Sequence, residues 1–211
     1  MSKPRNKKNT ARPALRAAPA PVVNQSTQRT PEQARGNGNV IVLAAVGATI
    51  LLFWYFHLLV LNQMSDLSGG LAMPDQMMGG YSVADIEALR AAMNSDAIGQ
   101  LNYVHKTAGM LFPLFLALTT MLVVNLHTVR GPVRWVLWAV PMLFAIVDLW
   151  ENAAIDALFN GPLDPGAVSL ASTLTTISWV LLFATAAVLV GVLIASFITT
   201  FKAKWSEAGL S

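Results

Sequence analysis

The chain has no cysteine among its 211 residues, which excludes a disulfide framework, thiolate ligands and a cysteine nucleophile. Charge is also scarce. Charged residues make up 12% and hydrophobic residues 55% of the chain, where a soluble domain carries about 25% charged residues. Histidine occurs three times and never in H-x-x-x-H or H-E-x-x-H spacing, so no helical zinc motif is present. G-x-S-x-G, P-loop and dinucleotide fingerprints are missing as well. Gly69-Gly70 and Gly79-Gly80 follow no strand and read as loop hinges rather than phosphate cradles. With a mean hydropathy of +0.53, the composition is that of a membrane protein long enough for one domain.

The net charge of +3 conceals a strong asymmetry, because eight of the fourteen basic residues lie before residue 36. Residues 1–38 hold Lys3, Arg5, Lys7, Lys8, Arg12, Arg16, Arg29 and Arg35 against Glu32 alone. This stretch has no apolar periodicity and is expected to be a disordered, basic cytoplasmic tail. It serves as a topology anchor rather than a nucleic-acid arm. Residues 39–201 are expected to form the transmembrane domain and 202–211 a cytoplasmic C-terminal tail.

Four apolar segments are long enough to cross a bilayer, which takes about 20 residues. They lie at about 40–62, 105–129, 135–158 and 168–200. No charged residue occurs from Gly36 to Ser65, from Trp135 to Val147 or from Gly166 to Phe201. The first span ends in Phe53-Trp54-Tyr55-Phe56-His57, a cluster suited to an interface. Pro113 should kink the second span. Residues 63–104 are expected to be an outer loop, with a short amphipathic helix at about 83–93 on the bilayer surface. Ser82 with Asp85 three residues on resembles a helix cap, and Ile86, Leu89 and Met93 repeat at helical spacing. Met73, Met77, Met78 and Met93 read as adaptable packing rather than copper ligands.

Basic residues set the orientation. The tail, Arg130 with Arg134, and Lys202 with Lys204 fall on one side, and the acidic 63–104 loop and Asp164 on the other. The positive-inside rule then places both termini in the cytoplasm.

One stretch breaks the apolar pattern. In Asp148-Leu149-Trp150-Glu151-Asn152, two carboxylates and an amide appear inside a membrane helix, and with Asp156 they share one broad face. An ionised carboxylate facing hydrocarbon costs several kcal/mol, so such groups point into a bundle or a wet cavity. His57 reaches a similar depth. His105, Lys106 and Tyr103 stand near the outer mouth of the second span, and Ser169, Ser172, Thr173 and Thr176 form a hydroxyl stripe on the fourth. The inner half instead shows Ala187, Gly191 and Ala195 at the spacing of close helix packing. The inference is an outward-open polar pocket over a dry base, with Asp148, Glu151, Asn152, His57, His105, Tyr103, Ser172 and Thr176 as ligand-binding residues.

Three readings compete for this pocket. In one, the polar groups only bond to each other and pin the bundle. In the second, Glu151 or Asp148 titrates in a desolvated setting and couples protons to a bound ligand. The third is a metal-dependent or acid–base enzyme using His57, His105, Asp148 and Glu151, and the absent spacing motifs count against it. A channel would need polar residues continuing to the inner side. A transporter of four spans would have to form a homo-oligomer.

The chain resembles an uncharacterised group of small four-span bacterial membrane proteins over roughly residues 81–190. The likeness rests on Gly99-Gln100-Leu101-Asn102-Tyr103 with Phe112-Pro113, and on Pro141 through Asp148-x-x-Glu151-Asn152 to Pro162, then Ala171-Ser172 and Thr175 to Trp179. An acid often stands in that group where this chain has Gly109, and a basic residue where it has Ser178; both are missing here. The resemblance implies a four-helix fold and a bacterial cell membrane, and no activity. The expectation is an all-α integral membrane protein, a four-transmembrane-helix bundle with one short extracytoplasmic amphipathic helix. It binds a small molecule or lipid head group, with proton linkage, and is not an enzyme. No cofactor, metal or nucleic acid is indicated; the lipid bilayer is the expected partner.

Overall fold

A computed structural model describes residues 31–208. Most of the expected basic tail, residues 1–30, therefore lies outside the described residues. Residues 31–38 of that tail continue the first helix, α1 (Pro31–Phe53). The described residues contain helices and no strand.

Four helical segments are long and apolar enough to cross a membrane: Gly38–Leu67, Ser95–His127, Pro132–Asn160 and Pro165–Glu207. The first joins α1 to α2 (Leu61–Leu67) through a π-helical stretch, Trp54–Val60. The second is α4 (Ser95–Lys106) followed by α5 (Ala108–His127), broken at Thr107 with φ −116° and ψ −89°. The third is α6 (Pro132–Asn160) and the fourth α7 (Pro165–Glu207). Proline opens both α6 and α7, where the missing N–H costs nothing. Asp164 caps α7 by accepting from the Ala167 N–H at 2.8 Å.

Helix α5 is the hub, packed against α1, α6 and α7, while α6 and α7 pack on each other. Phe112, Phe144, Val123 and Ile155 are fully buried at these contacts. No contact of comparable extent joins α1 to α7, so a gap separates them.

At one end of the bundle the chain folds over itself. A 3-10 turn (Pro74–Gln76) and α3 (Val83–Ala92) lie between α2 and α4. Ser82 caps α3 in a reciprocal box with Asp85, and these bonds hold the Asp85 carboxyl below the usual carboxylate range. Ile86, Leu89 and Met93 turn inward and are buried. The stretch expected as outer loop also holds α4, a helix that composition concealed because it has one polar face. Asn94 starts it by accepting from the Ala97 N–H at 2.9 Å. Met73 and Met93 are core residues, as their thioethers suit irregular packing.

Candidate functional site

The polar stretch of α6 lies inside the bundle: Asp148 is 8%, Glu151 5% and Asn152 6% exposed. Along α6 the rise from Arg134 to Asp148 is about 21 Å. The C-terminal end of α5 is level with Ser196 of α7, since Ser196 Oγ meets His127 Nδ1 at 2.8 Å. From Ser196 to Ser178 is about 27 Å, and the contact between Ser178 and Asp148 sets this turn of α7 beside the α6 acids. The Ser178 hydroxyl donates to Asp148 Oδ1 at 2.9 Å, and the hydroxyls of Thr175 and Ser178 face Glu151.

Asn152 is placed by a defect in the neighbouring helix. Pro113 has no N–H, so the Gly109 carbonyl four residues earlier loses its helical partner. Asn152 Nδ2 donates to that carbonyl at 3.1 Å and also lies 3.4 Å from Asp148 Oδ2. Gly109 makes this approach possible, because a Cβ there would stand 3.2 Å from the Asn152 amide nitrogen. Gly109 and Ser178 both touch this cluster.

These residues surround a small cavity of about 10 Å³, lined by His57, Asp75, Asp148, Glu151, Asn152 and Ser178, among others. That is room for about one water. His57 comes from the π-helical stretch, a distortion frequent at functional sites. Its ring stacks on Phe53 at 4.7 Å and meets Phe112 edge-on at 4.9 Å and Trp179 at 5.5 Å. The Phe53 carbonyl is nearby, yet buried Nδ1 has no hydrogen bond of normal geometry.

Asp75 is the residue that sequence reasoning missed. It sits on the 3-10 turn, 6% exposed, and reaches down into the bundle. His105 Nε2 contacts its carboxylate at 3.2 Å, and His105 Nδ1 contacts Asp156 at 2.5 Å. Burial works against ionisation of Asp75, but His105 outweighs it and holds the carboxyl below the usual range. The main-chain carbonyl of Asp75 accepts from Trp179 Nε1 at 2.9 Å. Further bonds fasten the same cap. The Tyr81 N–H donates to Ser172 Oγ at 2.8 Å, and Thr175 donates to the Tyr81 hydroxyl at 3.4 Å. Burial raises that phenol above its ordinary value, so it stays neutral. Arg90 donates to the Leu158 carbonyl at 3.1 Å, and Asn102 and Asn160 exchange bonds at 3.2 and 3.0 Å.

Several expectations change accordingly. The pocket is not a wide opening at the end of the bundle; Asp75 on the 3-10 turn covers it there. His57, Asp148, Glu151 and Asn152 are brought together. His105 is buried one step away, and both of its nitrogens are engaged by Asp75 and Asp156. Tyr103 is 66% exposed and points away, as does Lys106. Ser172 does not reach the cavity and instead anchors the cap. Thr176 is exposed and bonds back to the Ser172 carbonyl at 3.2 Å. The hydroxyls of α7 that matter are Thr175 and Ser178, not the stripe from Ser169 to Thr176. Ala187, Gly191 and Ala195 face outward rather than packing the base. Among the described residues, no three His, Asp or Glu side chains are grouped as a metal ion would require.

Comparison of the chain with protein-family models, with characterised proteins and with solved structures gives no match in any of the three.

Proposed function

We propose that this is a multi-pass membrane protein that binds a small molecule or lipid head group at the Asp148–Glu151–His57 cavity, with binding linked to proton exchange. One observation carries the reading: Asp148 and Glu151 are buried beside Asp75 around a common cavity with no lysine or arginine in its lining. Among the described residues, the salt bridges are those of His105, and neither reaches Asp148 or Glu151. A buried acid without a countercharge is costly, and natural chains keep one where a ligand or a proton supplies the missing partner. The distribution of Arg130, Arg134, Lys202 and Lys204 favours cytoplasmic termini and places the cavity, α3 and the cap toward the opposite leaflet of a cell membrane.

The test is calorimetry of the full chain in nanodiscs, titrated with a total-lipid extract, neutral amphiphiles included, in two buffers of different ionisation enthalpy. Saturable binding with a buffer-dependent heat is expected, and Asp148→Asn with Glu151→Gln should abolish both. The competing reading, a hydrogen-bond clamp, has its own support in the Asn152–Gly109 bond. It predicts that the same substitutions lower the melting temperature and change no binding. That outcome would remove the binding site.

A further inference from the structure

The gap between α1 and α7 contains an apolar cleft of about 280 Å³, lined by Ile50, Phe53, Leu116, Phe183, Leu189 and Val190, among others. Ile50 (63%), Phe183 (58%) and Val190 (52%) stand exposed at its mouth, so it opens sideways, where the bilayer lies. Its polar side-chain groups are already engaged, Thr49 Oγ1 by the Ala45 carbonyl and Thr119, and Trp179 Nε1 by the Asp75 carbonyl. A second, wider groove begins one turn further along both helices, at Val46 and Leu193, and reaches Val42 and Phe197. At its upper end the cleft shares two wall residues, Trp179 and Leu182, with the polar cavity. Only side chains separate the apolar space from the acids, and the Trp179 ring is held in place by its bond to the cap at Asp75.

This geometry resembles the mould of an amphiphile, and the cavity restricts the head. Asp75, Asp148 and Glu151 all line it, which repels phosphate and carboxylate heads. Its size admits a group no larger than about one water. A hydroxyl fits both limits, since it donates to a carboxylate and accepts from or donates to a ring nitrogen of His57, whose Nδ1 makes no hydrogen bond of normal geometry. We infer that the α1–α7 cleft holds the hydrocarbon chain of a neutral single-chain alcohol whose hydroxyl passes Trp179 into the His57–Glu151 cavity. The inference rests on the cavity being a ligand site and names the class of ligand.

The experiment uses the full chain in nanodiscs and hexadecanol carrying a diazirine near its chain end, photolysed and mapped by mass spectrometry. Hexadecanoic acid, hexadecylamine and monopalmitoylglycerol with the same photoreactive chain are the comparison probes. Saturable labelling of α1 and α7 at Val46, Val190 or Leu193 is expected for the alcohol, with the three other heads labelling at least several-fold less. Val190→Trp fills the exposed mouth of the cleft. It should weaken binding roughly tenfold, the effect of excluding about two methylenes; Ala186→Phe serves as a second block. Glu151→Gln should weaken it without touching the cleft. Loss in Glu151→Gln but not in either blocking variant overturns the cleft and leaves the cavity standing. Loss in the blocking variants alone means a chain resting in a groove, which overturns both. Labelling that is unsaturable, or equal for all four heads, reports bulk lipid only and overturns the inference.

Discussion

Asp75→Asn isolates what holds the cap shut. The substitution preserves shape and leaves the Trp179 bond intact, because Trp179 donates to the Asp75 main chain rather than its side chain. What is lost is the charge of a carboxylate 3.2 Å from His105 Nε2. Breaking a buried ion pair outright costs about 3–5 kcal/mol. His105 keeps Asp156 at 2.5 Å, so the loss here should be closer to that of one charged hydrogen bond, about 1.5–3 kcal/mol. As a local opening equilibrium this is roughly a 10- to 150-fold increase in the open fraction. Hydrogen exchange of full-length protein in nanodiscs reads it directly, with faster exchange expected over residues 68–82 and little change in α5 and α6. Unchanged exchange at 68–82 together with faster exchange in α5 and α6 would refute the reasoning, since the pair would then stabilise the bundle and not the cap. The pH dependence has a definite sign. Because the Asp75 carboxyl is depressed in the folded chain, its contribution is present above the unfolded carboxylate value of about 3.9 and is lost as pH falls through the lower, folded one. The cap should stay closed at neutral pH and loosen only in strong acid, below about pH 4.

Two further perturbations test the local physics. Asn152→Ala strips the Gly109 carbonyl of its partner and should destabilise the bundle by about 1–3 kcal/mol, read from the melting temperature in detergent. In a Pro113→Ala background, which restores the helical N–H, the cost of Asn152→Ala should shrink; additive effects would show that the amide does not serve the proline break. Gly80 has φ +86°, and a Cβ there would stand 2.6 Å from Ser172 Oγ. Gly80→Ala should therefore cost about 1–3 kcal/mol and speed exchange at the Tyr81 amide, with Gly79→Ala as a control that meets nothing within 4 Å.

The parts of this architecture that sequence made legible are those set by lipid. Charge-free runs define the spans because hydrocarbon tolerates little else, and the D-x-x-E-N stretch stands out because its residues contradict that background. Helical period alone put Asp148, Glu151 and Asn152 on one buried face. Asp156, one turn on, shares the face but belongs to His105 instead, since the cap descends at that level. Phase on α7 was not legible. The helix is apolar all round over 43 residues, so nothing in its pattern distinguishes the buried row Ala171, Thr175, Ser178 and Leu182 from the neighbouring Ser169–Thr176 stripe. Two residues of offset separate the groups that face Asp148 and Glu151 from those that do not. Asp75 was hidden for a different reason. It lies in a glycine-punctuated loop where no periodicity exists, and its role follows only from the tertiary descent of that loop onto His105.

The π-helical stretch at Trp54–Val60 divides the first span into two segments that cannot both keep α-helical register. A wide turn of this kind absorbs one residue more than an α-turn would. Removing an exposed residue such as Leu58 would therefore close the wide turn to an ordinary α-turn and leave the phase of both flanking segments nearly unchanged. Thr49 would keep Thr119, and Ile50 and Phe53 would still line the gap facing α7. Removing a residue from the α-helical part of the span would instead rotate everything before it by about 100° about its axis. A single-residue deletion in the wide turn would thus shift His57 against its cavity while leaving the wall of the lateral cleft in place.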